Sequence, residues 1–278
     1  MMKTEGSFKN KDAQNIFYRA FIPERPKAAV VLVHGLGEHS AKYNCFGEDA
    51  CKRGMAFFAY DQRGHGRSGG FRCHVDAFDD FVEDLRQFVE IAKIESLCGN
   101  VFVVGLSMGG LTSLLFSMKY GGMIKGTAVC APALRFVSPP TGIEAGVAGL
   151  LSFFLPRLTT PNRVPFEYLS HDKELIEKTK GDKQSHRVIS FRLFTEATKA
   201  AAYVLENAVR LRVPLLLLQG TGDRVVDPSG TKEFFQKMAF QDKELKLYDG
   251  LYHELLREME RQEIMDYILS WIANRTGG

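Results

Sequence analysis

The 278 residues predict an α/β fold with a mostly parallel central sheet, helices on both faces and an inserted helical piece. Three observations lead there. Short runs that are apolar throughout, with no alternation, suit strands buried on both faces of a parallel sheet. Segments with helical spacing separate those runs. The rhythm stops between about residues 134 and 208 and then resumes.

The first expected strand is 28–33, ended by His34-Gly35. The second is 55–60, ended by Asp61. Phe78, Phe81, Val82, Leu85, Phe88 and Val89 then recur at steps of three and four, which marks one face of a helix. A third strand, 101–104, runs into Gly105, and the chain from Gly110 onward continues as a helix. The fourth strand is 126–130, before Pro132, and the fifth is 215–218, before Gly220. Residues 245–248 are strand-like and end at the turn Asp249-Gly250. The chain therefore divides into a first core part, 1–133, an insertion, 134–208, and a second core part, 209–278. The insertion contains no strong strand and has a helical patch over 196–209.

Composition excludes several classes. Hydrophobic residues at 45% and charged residues at 25% are ordinary globular values and rule out disorder. A net charge of +3 with scattered Lys and Arg gives no stripe for a nucleic acid partner. Five cysteines, an odd number without a CxxC pair, suit reduced thiols better than disulfides. The amino terminus has no apolar signal-like stretch, and the longest apolar-rich run, 145–155, is too short to span a bilayer. The expectation is a soluble cytoplasmic protein, with peripheral contact at a membrane surface left open. Oligomeric state is not legible.

Gly105-Leu106-Ser107-Met108-Gly109 fits G-x-S-x-G, with a strand before it and a helix after it. Glycine at both flanks lets so sharp a turn approach its neighbours and pushes the serine hydroxyl out at the carboxyl edge of the sheet. A serine hydroxyl needs a base, and the base needs an orienting carboxylate. The chain order that accompanies this elbow is Ser, acid, His. After Ser107 only His171, His186 and His253 remain; the first two lie in the insertion, whereas His253 follows a strand-like run and its turn. Two aspartates compete for the acid, both after the fifth strand. Asp227 precedes Pro228 and so has a helix-capping role available, which leaves Asp223 as the acid. The backbone N–H of Met108 and that of Leu36, in the loop His34-Gly35-Leu36-Gly37, are the expected oxyanion donors, with His34 bracing the loop.

Other chemistry fails on inspection. Gly64-His65-Gly66-Arg67-Ser68-Gly69 matches G-x-G-x-x-G, but three residues separate it from its strand and no helix starts where a dinucleotide site needs one. His253-Glu254 begins a zinc motif whose second ligand position holds Arg257. Acyl transfer through serine needs no metal and no organic cofactor, and none is expected.

The segments 34–40, 61–68, 105–110, 222–227 and 242–256 together resemble the monoacylglycerol lipase and lysophospholipase group of α/β-hydrolases. The likeness runs from about residue 28 to 271, and Leu106 stands where some members, especially animal ones, carry His. The resemblance implies an α/β-hydrolase fold in which 134–208 is a cap over the active site. It also implies a serine esterase acting on a single-chain lipid ester such as a monoacylglycerol. A lysophospholipase, a general short- or medium-chain carboxylesterase and an acyltransferase with the same triad are the alternatives. Within the cap, Ile143, Val147, Leu150, Leu151 and Phe154 fall on one helical face, expected to meet the acyl chain or a lipid surface; the competing expectation is ordinary core packing.

Overall fold

The computed structural model describes residues 1–138 and 142–276; residues 139–141 of the expected insertion and 277–278 of the last core segment lie outside the described residues. The chain opens with a hairpin that the sequence reading did not contain. Strands β1 (Met2–Lys9) and β2 (Asn15–Ile22) pair antiparallel, with Met2 opposite Ile22. The outer strand, Met-Lys-Thr-Glu-Gly-Ser-Phe-Lys, alternates exposed with half-buried residues and offers no continuous apolar run. That is how an edge strand with one solvated face looks.

The core elements follow in the expected order: β3 (Ala28–Val33), α1 (Asn44–Lys52), β4 (Met55–Tyr60), α2 (Asp79–Ser96), β5 (Val101–Leu106), α3 (Met108–Tyr120) and β6 (Gly126–Cys130). The inserted stretch carries α4 (Gly142–Phe154), β7 (Thr159–Pro161), α5 (Lys173–Lys180), β8 (Val188–Ser190) and α6 (Phe191–Glu206). The chain closes with β9 (Leu215–Gly220), α7 (Pro228–Lys237), β10 (Lys243–Tyr248) and α8 (Arg261–Ala273). Eight strands form one sheet in the order β1-β2-β4-β3-β5-β6-β9-β10. From β4 to β10 every pairing is parallel; the antiparallel pairings are β1 with β2 in the amino-terminal hairpin and β2 with β4, which joins that hairpin to the rest of the sheet.

The unbroken apolar runs are explained by what covers them. In β3, Ala29, Val31 and Val33 join a buried cluster with α2, α3, α6 and α7, while Ala28, Val30 and Leu32 join a second cluster with α1 and α8. Strand β5 divides likewise, Val101 and Val103 to one side and Phe102, Val104 and Leu106 to the other. Successive side chains point to opposite faces, so a strand covered on both must be apolar at every position.

The insertion is not one separate layer. On α6, Leu193, Ala197, Ala200, Ala201 and Val204 are buried in the same cluster as β5, α3 and α7. The boundary expected at residue 208 thus falls beyond a helix that is part of the core. Its small stripe lets α6 lie close to its neighbours. The insertion also contains a short antiparallel pair, β7 with β8, that its sequence did not suggest. Helix α4 lies against α6 through its own small face: Ala148 and Ser152 are buried, and the Ser152 and Thr195 hydroxyls are 2.8 Å apart.

Candidate active site

The loops after β3, β5, β9 and β10 all leave the carboxyl ends of parallel strands, where open α/β sheets gather their chemistry. At the end of β5 the chain turns at Ser107 with φ 51° and ψ −117°, a conformation that costs a non-glycine residue about 1–3 kcal/mol. The neighbouring glycines explain how the turn closes. A Cβ on Gly105 would collide with Ser113 and the Gly109 carbonyl, and one on Gly109 with the carbonyls of Val33 and His34. Ser107 stands at the amino end of α3, where the helix dipole favours developing negative charge.

His253 Nε2 is 2.9 Å from Ser107 Oγ, and His253 Nδ1 is 2.8 Å from Asp223 Oδ2. A carboxylate only accepts, so Nδ1 carries the proton and Nε2 is free to accept from the serine hydroxyl. Asp223 is buried and well supplied with donors. Its Oδ1 accepts from the backbone N–H of Val225 at 2.8 Å and of Val226 at 2.9 Å, and its Oδ2 also accepts from Gln219 Nε2 at 3.0 Å. Burial alone would raise its pKa, but His253 and the two backbone donors outweigh it and hold the group below the usual value. For His253 burial acts downward, and the Asp223 carboxylate beside it outweighs that and raises the imidazole above its ordinary value.

Asp227 lies elsewhere. It is the N-cap of α7, accepting from the Ser229 N–H at 2.8 Å, with Pro228 in the first turn. Of the two competing aspartates, only Asp223 touches the imidazole.

The loop after β3 passes directly beside the serine. A Cβ on Gly35 would lie 3.3 Å from Ser107 Cβ, which brings the Gly35-Leu36 backbone to the hydroxyl. Two side chains clamp that backbone. Glu38 Oε2 accepts from the Gly35 N–H at 2.9 Å, and His34 Nδ1 lies 2.8 Å from the Gly35 carbonyl. His34 Nε2 accepts from the Gln62 N–H at 3.0 Å, so the ring is neutral and its proton sits on Nδ1, as the bracing role requires. Because a peptide unit is planar, fixing the Gly35 carbonyl also fixes the opposed N–H of Leu36. Leu36 is half-buried and Met108 buried.

The apolar stripe of α4 faces outward. Ile143 is 83% exposed, Val147 52%, Leu150 61% and Phe154 67%, while Leu151 is half-buried. Core packing therefore does not account for the stripe. Sequence reasoning overlooked Glu38, although it directly follows the loop His34-Gly35-Leu36-Gly37 and lies within the segment 34–40. It also overlooked Gln219, which donates to Asp223 four residues on, and Glu258, whose partners Ser170 and His171 lie 88 and 87 residues away along the chain.

The family described as serine aminopeptidase, S33, matches residues 24–260. The chain belongs to this family. A protein of Mycolicibacterium smegmatis named monoacylglycerol lipase is 30% identical over 274 residues, 98% of each chain. A Mus musculus protein named monoglyceride lipase is 32% identical over 272 residues, 96% of this chain and 89% of that one. The crystal structure of the Paleococcus ferrophilus monoacylglycerol lipase superposes with a TM-score of 0.86 at 27% identity, covering 94% of this chain and 99% of that one.

Proposed function

We propose that this member of the family hydrolyses carboxylic esters of single-chain lipids, with a monoacylglycerol as the substrate, giving a fatty acid and glycerol. The observation that carries the reading is the Ser107–His253–Asp223 chain, with contacts of 2.9 and 2.8 Å. Ser107 Oγ attacks the ester carbonyl as His253 Nε2 takes its proton. Asp223 holds the imidazole and stabilises its cation. The Leu36 and Met108 N–H groups donate to the oxyanion. The proton on Nε2 passes to the departing alcohol, leaving an acyl-serine. Water, deprotonated by the same nitrogen, then releases the acid.

The family's description is that of a peptidase. A lipid ester is favoured by the names borne by relatives about 30% identical over nearly the whole chain and by the outward apolar face of α4. We read that face, Ile143, Val147, Leu150, Leu151 and Phe154, as the place where the acyl chain or a lipid surface is met, making the inserted segment a cap. Among the described residues no helix is long and apolar enough to cross a membrane, so lipid contact on this reading is peripheral. Five free cysteines, four of them buried, support a reducing, cytoplasmic setting.

The test is the rate of fatty-acid release from a C4–C18 series of monoacylglycerols beside lysophosphatidylcholine, p-nitrophenyl esters and aminoacyl arylamides, with Ser107→Ala as control. Preference for medium- or long-chain monoacylglycerols is expected. Faster cleavage of the arylamides would overturn the ester assignment. Preference for the lysolipid, or acyl transfer to added glycerol exceeding hydrolysis, would overturn the substrate or the acceptor.

A further inference from the structure

Beneath the catalytic histidine lies a fully buried carboxylate that the reaction as written does not use. Glu258 comes five residues after His253, just ahead of α8, and is completely shielded from solvent. Its Oε1 accepts from the Tyr252 N–H at 2.8 Å and from His171 Nδ1 at 3.0 Å. Its Oε2 accepts from the His171 N–H at 2.8 Å and lies 3.0 Å from the Ser170 hydroxyl, whose single proton is shared with the Arg257 carbonyl at 2.9 Å. A buried carboxylate is tolerable only when its lone pairs are satisfied, and here each oxygen has two donors.

These donors come from two places. Tyr252 immediately precedes His253; Ser170 and His171 belong to the inserted segment. On the other side of the histidine, the Glu254 N–H donates to the Leu169 carbonyl at 2.8 Å. The backbone is thus fastened on both flanks of His253, once through Glu258 and once directly to the insertion. The His171 ring also stacks on Tyr252, with centroids 3.7 Å apart and planes at 28°. Arg257 adds a further tie, pairing with Glu254 at 2.9 Å and donating to Thr179 of α5 at 2.7 Å.

We infer that Glu258 is a positioning residue for the reaction: together with Leu169 and His171 of the inserted segment it sets the backbone that aims His253 between Asp223 and Ser107. The inference rests on the proposed triad. It has a mechanical corollary. Residues 169–171 are part of the frame that holds the base, so a cap movement that shifted them would also shift the imidazole.

Glu258→Gln in the full chain tests it. Glutamine keeps the shape but turns one acceptor oxygen into a donor, which must face N–H groups already donating. A misplacement of a fraction of an ångström at the base is expected to lower kcat by about 10- to 100-fold with KM within about twofold. The rate of fluorophosphonate labelling at Ser107 should fall by the same factor, since it needs the same base. The acid limb of the pH profile should move to lower pH as the imidazole loses its carboxylate. A residue with a merely structural role would lower the melting temperature and the titratable fraction, leaving kcat per labelled site and the acid limb at wild-type values; that result overturns the inference. Should Glu258→Gln not fold, His171→Ala replaces it. This exposed ring contributes one bond and the stack, so a smaller loss of kcat with the same direction of pH shift is expected, and wild-type values for both refute the idea. An active Ser107→Ala enzyme would instead show that the triad is wrong. An inactive Ser107→Ala enzyme beside a fully active Glu258→Gln enzyme would show that only the positioning role is.

Discussion

The outward face of α4 invites a double substitution, Leu150→Ser with Phe154→Ser. In the folded chain these side chains are 61% and 67% exposed. Removing apolar groups from such positions should change stability by no more than about 0.5 kcal/mol. The effect belongs to docking. Full burial of a Leu or Phe side chain is worth about 1.5–3 kcal/mol, and roughly two thirds of each remains to be taken out of water, so the pair loses about 2–4 kcal/mol of contact with lipid. At about 1.4 kcal/mol per tenfold, partitioning onto phosphatidylcholine vesicles should fall on the order of 10²-fold. Co-sedimentation reads that directly. In parallel, kcat/KM for a C12 ester should drop steeply while a soluble C4 ester stays within about twofold, since a short chain reaches little of the face. A melting curve completes the set and should superpose on that of the unaltered protein. Unchanged vesicle binding with an unchanged C12-to-C4 ratio would refute the reasoning. A lowered melting point with both substrates depressed alike would return α4 to ordinary packing.

Ser107→Ala should remove ester hydrolysis while leaving the circular dichroism spectrum intact, and a fluorophosphonate should label Ser107 alone. Asp223→Asn should lower kcat by about 10⁴-fold, because the imidazole loses its tautomer and its counter-charge. Asp227→Ala should instead cost about 1 kcal/mol of stability, measurable as a shifted urea midpoint, through loss of the α7 cap; the opposite pattern would exchange their roles. The working imidazole is the neutral form, and its pKa is raised by Asp223, so the acid limb of kcat/KM should lie above the unperturbed value of about 6.5. The same linkage gives stability the other sign: the His253–Asp223 contribution is fully present below that value and fades as pH rises through the folded pKa, so chemical-denaturation midpoints and activity should trend oppositely there. Gly109→Ala should destabilise the protein by about 3 kcal/mol, since the new methyl meets two backbone carbonyls that have nowhere to move.

Sequence and structure agree best where local chemistry dictates the outcome. Strands 28–33 and 101–104 were legible because burial on two faces leaves no polar position, and Ser107 because only glycines fit beside so tight a turn. Asp223 was separable from Asp227 because Pro228 announces a helix start. The amino-terminal hairpin was invisible for the converse reason: β1 has one wet face and a polar composition. The stripe on α4 was legible as a stripe, but nothing local says which way it faces. That is decided by Ala148 and Ser152, small enough to lie against α6. Glu38 and Glu258 carry no motif of their own. The partners of Glu258 in the insertion are 87 and 88 residues away, so its role exists only after the chain has folded.

The way the inserted segment is moored bears on how substrate preference can diverge among relatives. Its later part is tied to the core at several places: Leu169 to Glu254, Asp182 to His39 at 2.7 Å, the His186 N–H to the Gly37 carbonyl at 2.8 Å and the Ser190 N–H to the Cys73 carbonyl at 3.0 Å. α4, by contrast, rests on α6 through small side chains and presents its large ones to solvent. Drift can therefore rewrite α4 residue by residue without shifting His253, whereas changes from 169 onward are constrained by the backbone around His253 that they touch. Chimeras follow the same line: a graft confined to α4 exchanges the greasy surface alone, and one that continues through 190 imports a foreign frame for the base.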